Sequence, residues 1–104
     1  RLMRAGVDLA GVELRDARLG GADLTGVHWF GANLTTADLT NATLVEADLT
    51  GANLAGANLA GANLSRADLS GATLPGVDLS GLDLRSVNLA GATAADVLSL
   101  VRRL

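Results

Sequence analysis

The sequence predicts a solenoid in which short units stack in coils and bury their apolar side chains against one another. Seventeen consecutive five-residue units run from residue 7 to residue 91 without an insertion. The central residue is Leu in sixteen of these units, and Gly fills twelve of the eighteen unit-closing positions from 6 to 91. A unit this short cannot bury an apolar face alone, so it must stack on its neighbours.

Within each unit, the residue types predict an alternation between an inner and an outer side. Two residues before the centre the chain has Ala eleven times, Val five times and Leu82 once, which indicates a small inward neighbour. The residue between is Asp or Asn in twelve of the seventeen units, a type that bonds to local backbone and belongs outside. The closing Gly supplies a bend with positive φ. A helix is excluded because a period of five would spread Leu around its whole surface.

Tandem A(D/N)LxG units, such as the two from Ala52 to Gly61, resemble the pentapeptide-repeat family over about nine tenths of the chain. The resemblance implies an all-β fold, a right-handed quadrilateral parallel β-helix of about four coils. Each coil would contain twenty residues, with the central residue and the one two before it pointing inward.

The two ends are expected to differ from the repeats at residues 7–93. Residues 1–6 form an incomplete repeat and an open end, which we expect to be covered by an upstream segment, a partner chain or end-to-end packing. Residues 94–104 have the pattern of a capping helix, with Thr93 as N-cap and Asp96 three residues on. The helix would be a lid on the last coil, or a homodimer contact as in some family members. Its apolar residues are Val97, Leu98, Leu100, Val101 and Leu104.

The amino-acid composition limits which classes of protein and of binding partner are expected. No apolar run approaches the roughly 18 residues of a membrane helix, and the absence of Cys fits a reducing, cytoplasmic location. The chain opens on Arg1 and is expected to be part of a longer bacterial protein. Residues 7–91 have ten acidic residues against four Arg, a net charge of −6. Such a rod should repel nucleic acid.

His28, Trp29 and Phe30 interrupt the pattern and include the only His and both aromatic residues of the sequence. Trp29 is expected to point inward between Leu9 and Leu49. Phe30 is expected on the outside, where it either shields a corner or anchors a protein partner.

A twenty-residue coil would also stack the outward residues Asp8, His28, Asp48, Asp68 and Asn88 in one column. Neighbouring carboxylates are expected to raise one another's pKa and to attract a cation or a basic partner. A flat column cannot surround a metal ion, so no metal or other cofactor is expected. The pattern offers no catalytic constellation, so we do not expect an enzyme.

The first functional hypothesis is a rigid scaffold for protein–protein interaction. The alternative comes from the resemblance, because some family members are acidic rods that imitate DNA, bind gyrase or related topoisomerases, and protect them from quinolones or toxins. The candidate partner-binding residues are Asp8, His28, Phe30, Asp48, Asp68, Asp23, Glu46 and Asp83.

Overall fold

The computed structural model describes residues 8–93. The open end expected over residues 1–6 and the capping helix expected over residues 94–104 lie outside the described residues. Between residues 8 and 93 the backbone has neither a helix nor a strand of several residues, and its β-structure consists of isolated bridges. The bridges are this short because a turn interrupts the extended backbone in every unit.

The bridges confirm the twenty-residue register. All of them are parallel, and each joins a residue to the one twenty positions further on, as in Asp8 with His28 and His28 with Asp48. Four columns of stacked residues result, which we call faces 1 to 4. In chain order, face 1 contains positions 8, 28, 48, 68 and 88; face 2 contains 13, 33, 53, 73 and 93; face 3 contains 18, 38, 58 and 78; and face 4 contains 23, 43, 63 and 83.

Main-chain hydrogen bonds connect successive coils. The amide of Leu49 donates to the carbonyl of Asp68 at 2.8 Å, and the amide of Gly51 donates to Ser70 at 2.9 Å. In the opposite direction, the amide of Asp68 donates to the carbonyl of Ala47 at 2.9 Å. This set recurs on successive units, so most coils are bonded to the next as neighbouring strands are.

Each unit closes with a tight turn. The amide of Val12 donates to the carbonyl of Leu9 at 2.9 Å, and Gly11 between them has a φ of 71°. Positive φ at the third residue is the signature of a type II turn. The predicted role of Gly is confirmed, but Asp16, Thr36, Asn41, Glu46 and Arg66 also adopt positive φ. The turn therefore imposes its conformation even on side chains for which it is strained.

The core is a stack of Leu and Ala along the axis. From Leu24 to Leu74 every central residue is at most 2% exposed, and the inward Ala residues from Ala32 to Ala72 are also buried. Trp29 takes the place of one Leu and is fully buried, as predicted. Leu9, Val12 and Leu14 in the first coil are only partly buried.

Two expected bridges are missing, between positions 58 and 78 and between positions 63 and 83. Bridging resumes between Asp68 and Asn88 and between Thr73 and Thr93. The coils therefore separate locally on faces 3 and 4 and rejoin on faces 1 and 2.

The buried Leu stack predicts a large difference between inward and outward substitutions in one unit. Leu44→Ala should lower the free energy of unfolding by about 2–5 kcal/mol, because Leu44 is fully buried and its truncation leaves a cavity. Val45→Ala, at the half-buried outward neighbour, should cost about 1 kcal/mol or less. Urea unfolding measures both, and similar losses for the two variants would contradict the assigned inward and outward sides.

Candidate partner-binding surface

Face 1 brings together the column that the register predicted. Bridges link positions 8, 28, 48, 68 and 88 in succession. Each acidic or amide side chain of the column also caps its own turn: Oδ1 of Asp8 accepts from the amide of Ala10 at 3.1 Å, and Oδ1 of Asp48 accepts from the amide of Thr50 at 3.0 Å. This local bond fixes the orientation of the side chain.

A shallow depression of about 410 Å³ lies across the first coils of face 1. We call it the Phe30 patch and define it by its lining, which is Asp8, Ala10, His28, Phe30, Glu46 and Asp48. Five of the eight candidate residues proposed from the sequence meet there. Asp68 lies one coil further along the same column, next to Asp48.

Among residues 8–93, Phe30 is the one large apolar residue that is exposed, with 57% of its surface open to solvent. The preceding residue, Trp29, is fully buried, and its indole Nε1 has no hydrogen-bond partner. The strict alternation of the unit explains the contrast, since filling the inward position with Trp29 leaves Phe30 outside. Ala10, one coil earlier, lines the same depression as Phe30.

Hydrogen bonds lower the pKa of Asp68, the acid that follows Asp48 in the column. The side-chain and backbone donors of Ser70 lower the pKa of Asp68, and the hydroxyl of Thr50 adds to the effect. The sequence-based expectation that neighbouring carboxylates raise one another's pKa is therefore wrong for Asp68. A carboxylate that accepts several hydrogen bonds favours its charged form.

One basic side chain lies at the edge of the Phe30 patch. Arg66 Nε lies 3.5 Å from Oε2 of Glu46, and both side chains are well exposed. The pair partly neutralises Glu46, which leaves Asp8 and Asp48 as the principal charges of the patch. Sequence reasoning missed this pairing, although residues 46 and 66 stand twenty positions apart in the predicted register.

Asp23 and Asp83 lie on face 4 and are not part of the patch. Oδ1 of Asp23 accepts from the amide and the hydroxyl of Thr25 at 3.1 and 2.7 Å. Asp83 forms a two-point ion pair with Arg85, with N–O distances of 3.0 and 2.8 Å. The side-chain hydrogen bonds from Arg85, followed by its backbone amide, lower the pKa of Asp83 to about 2.

Residues 8–93 contain no group of three or more His, Asp and Glu residues arranged to hold a metal ion. They also contain no helix with the length and hydropathy of a membrane span.

The ion pair between Asp83 and Arg85 predicts how the stability of the fold depends on pH. Because its folded pKa of about 2 lies below the usual 3.8, the pair contributes stability that is complete above pH 3.8 and is lost as the pH falls through about 2. Arg85→Gln should raise the pKa of Asp83 towards 3.8, as measured by NMR titration of its carboxyl carbon. Arg66→Gln is the matched control and should leave this pKa unchanged; an unaltered value in Arg85→Gln would refute the assigned cause.

Comparison with known proteins places the chain in a family. The Pentapeptide repeats profile matches it in eight copies over residues 5–28, 32–71 and 62–95. HetL of Nostoc sp. strain PCC 7120, a protein involved in heterocyst differentiation regulation, is 32% identical over 86% of this chain and 57% of its own, with a TM-score of 0.45. The pentapeptide repeat protein alr5209 of Nostoc PCC 7120 is 41% identical over 84% of this chain and 64% of its own, with a TM-score of 0.42.

A structure of QnrB1, a plasmid-mediated fluoroquinolone resistance protein, is 24% identical over 95% of this chain and 58% of its own, with a TM-score of 0.53, and shares the fold. The chain thus spans about three fifths of the length of these three structures. No curated protein sequence matches it. The repeat profile covers most of the described coils, and the chain belongs to the pentapeptide repeat family.

Proposed function

We propose that the chain is a non-enzymatic module for protein–protein interaction within a larger cytoplasmic bacterial protein, and that the Phe30 patch binds a basic segment of its partner. The observation that carries the proposal is the exposed Phe30 ring beside the carboxylates of Asp8 and Asp48. The rod, wound as a right-handed four-sided β-helix, would hold this surface rigid, so binding would require little ordering of the module.

The chemistry of the patch suits an Arg side chain. A guanidinium stacks on an aromatic face by cation–π attraction and donates paired hydrogen bonds to nearby carboxylates. Phe30 supplies the ring, and Asp8 and Asp48 lie on the neighbouring coils at either side of its unit. The lining contains no Ser, Thr or Cys to act as a nucleophile, which supports a binding role rather than catalysis.

Face 1 also supports the second candidate function, an acidic rod that imitates DNA and binds gyrase. Asp8, Asp48 and Asp68 share one column, which contains no Arg; Arg66 lies beside the column and is paired with Glu46. Asp68 is charged at neutral pH, as an ordinary aspartate is, and its lowered pKa keeps it charged in more acidic solution as well. The shared fold with QnrB1, a fluoroquinolone resistance protein, adds support of a general kind.

Homodimerisation through the first coil or through residues 94–104 belongs to the same proposal. Sedimentation equilibrium of the intact chain, compared with a Leu98→Glu variant, distinguishes a dimer from a monomer and tests the role of the C-terminal residues.

Titration with a defined basic peptide tests the Phe30 patch. Arg-Gly-Arg-Gly-Arg should shift the amide NMR signals of residues in the patch, and Phe30→Ala should weaken its affinity about two- to fivefold through loss of the cation–π contact. Asp48→Asn should weaken it similarly, because it removes the charge and retains the Oδ1 acceptor for Thr50.

Asp38→Asn is the matched control, since it makes the same charge change on face 3. It should leave the affinity within the error of measurement. Equal losses from Asp38→Asn and Asp48→Asn would show that the peptide responds to net charge alone, and the patch would then be rejected as a site.

A supercoiling assay with purified gyrase tests the acidic rod. Inhibition at micromolar protein that weakens as salt is raised is the expected result, and Asp48→Asn/Asp68→Asn should reduce it. Asp23→Asn/Asp83→Asn removes two charges from face 4 and should leave inhibition unchanged. Absence of inhibition by the wild-type chain would rule out this second function and leave the interaction module.

A further inference from the structure

His28 is the one member of the face 1 column that does not cap its own turn. Each of the other four accepts, through Oδ1, from the amide two residues further on, at 2.9–3.1 Å. Within residues 8–93 the imidazole of His28 forms neither a hydrogen bond nor an ion pair. A histidine without a local bond keeps both ring nitrogens available to groups at the surface.

The register places His28 between two carboxylates. Parallel bridges join its backbone to Asp8 in the preceding coil and to Asp48 in the next. Because neighbouring strands lie about 4.8 Å apart, an acidic side chain lies beside the imidazole on each side. All three residues line the Phe30 patch, and both His28 and Phe30 are exposed.

The charge of the patch depends on the protonation state of His28. The acids that line the patch are Asp8, Glu46 and Asp48, and Arg66 pairs with Glu46 at its edge. Three carboxylates against one guanidinium give a net charge of −2 when His28 is neutral. Protonation of His28 reduces this charge to −1.

Histidine is also the residue type in the patch that responds to moderate acidification. It is the side chain whose ordinary titration lies between about pH 5 and 8, whereas aspartic and glutamic acids ordinarily titrate near pH 4. His28 is the only His of the sequence, so one substitution removes this response.

We propose that protonation of His28 releases the basic partner from the Phe30 patch, an inference that rests on the proposed function of that patch. The imidazolium donates hydrogen bonds to Asp8 and Asp48, the carboxylates that otherwise receive the donors of a partner Arg. It also repels a guanidinium stacked on the neighbouring Phe30 ring. Both effects weaken binding.

The direction of the pH dependence follows from these two effects. A cation that binds beside His28 binds its neutral form more tightly, so binding of the partner and of the proton oppose each other. The affinity of the patch is therefore highest at the alkaline end of the histidine range and falls as the pH decreases through it.

Calorimetric titration of the intact chain tests the proposal. The probe is Arg-Gly-Arg-Gly-Arg with an acetylated amino terminus and an amidated carboxyl terminus, because this peptide does not itself titrate in the histidine range. From about pH 8 to about pH 5.5 at constant ionic strength, the Kd should rise about three- to tenfold. In two buffers of different ionisation enthalpy, binding should release a fraction of a proton in the middle of this range.

Two substitutions at this exposed position separate charge from structure. His28→Gln stays neutral, so its Kd should be the same at both pH values. His28→Lys carries a constant positive charge and should bind at about pH 8 as weakly as the wild-type chain does at about pH 5.5. Fluorescence of the fully buried Trp29 should be the same at both pH values if the coils remain intact.

The outcomes distinguish failure of this inference from failure of the proposed function. A wild-type chain that binds the peptide equally at both pH values overturns the role of His28 and leaves the patch as a binding site. An equal loss of affinity on acidification in His28→Gln also overturns it, because another group would then be responsible. Absence of binding even at the higher pH overturns the proposed function of the patch and this inference together.

Discussion

The twenty-residue register is the constraint on which the rest of this structure depends. Main-chain hydrogen bonds between coils and the turn closing each unit place every side chain in a fixed column. The buried Leu stack follows from the register, because central residues of successive coils lie directly over one another. One inserted residue would turn inward side chains outward in every later unit, and the absence of insertions over residues 7–91 is consistent with that demand.

The register also explains why the irregular unit that contains Trp29 and Phe30 changes the surface of face 1. Trp29 occupies an inward position and leaves a buried indole N–H without a partner, which costs about 1–3 kcal/mol in a typical site. The next residue, Phe30, is consequently presented on face 1 beside carboxylates of the adjacent coils. Because Asp8 and Asp48 also cap their own turns, the acids of this surface have a structural role as well as a charge.

The bonding between coils is interrupted in one part of the solenoid. Leu82, the one Leu among the small inward positions, stands above Ala62 there, and the main-chain bonds between coils are lost on faces 3 and 4 while faces 1 and 2 retain theirs. The main-chain hydrogen bonds between these coils are lost, although the Leu stack remains. The hydrogen bonds and the buried Leu side chains therefore hold neighbouring coils together independently of each other. Leu79 and Leu84 remain buried because their side chains still reach the axis.

The sequence alone determined the solenoid and the turn at each closing Gly. It also determined that the Leu residues and Trp29 lie inside, that Phe30 lies outside, and that Asp8 to Asn88 form one column. A strict five-residue period is sufficient for this because it fixes the side of the coil on which each side chain lies. The tertiary structure decided what depends on distance between coils. It joined Glu46 to Arg66, brought Thr50 of the preceding coil to Asp68, whose pKa it helps to lower, and grouped five candidates in one depression while placing Asp23 and Asp83 elsewhere. It also separated the coils on faces 3 and 4, since the sequence shows that Leu82 is larger than Ala but not whether the core or the backbone moves to accommodate it.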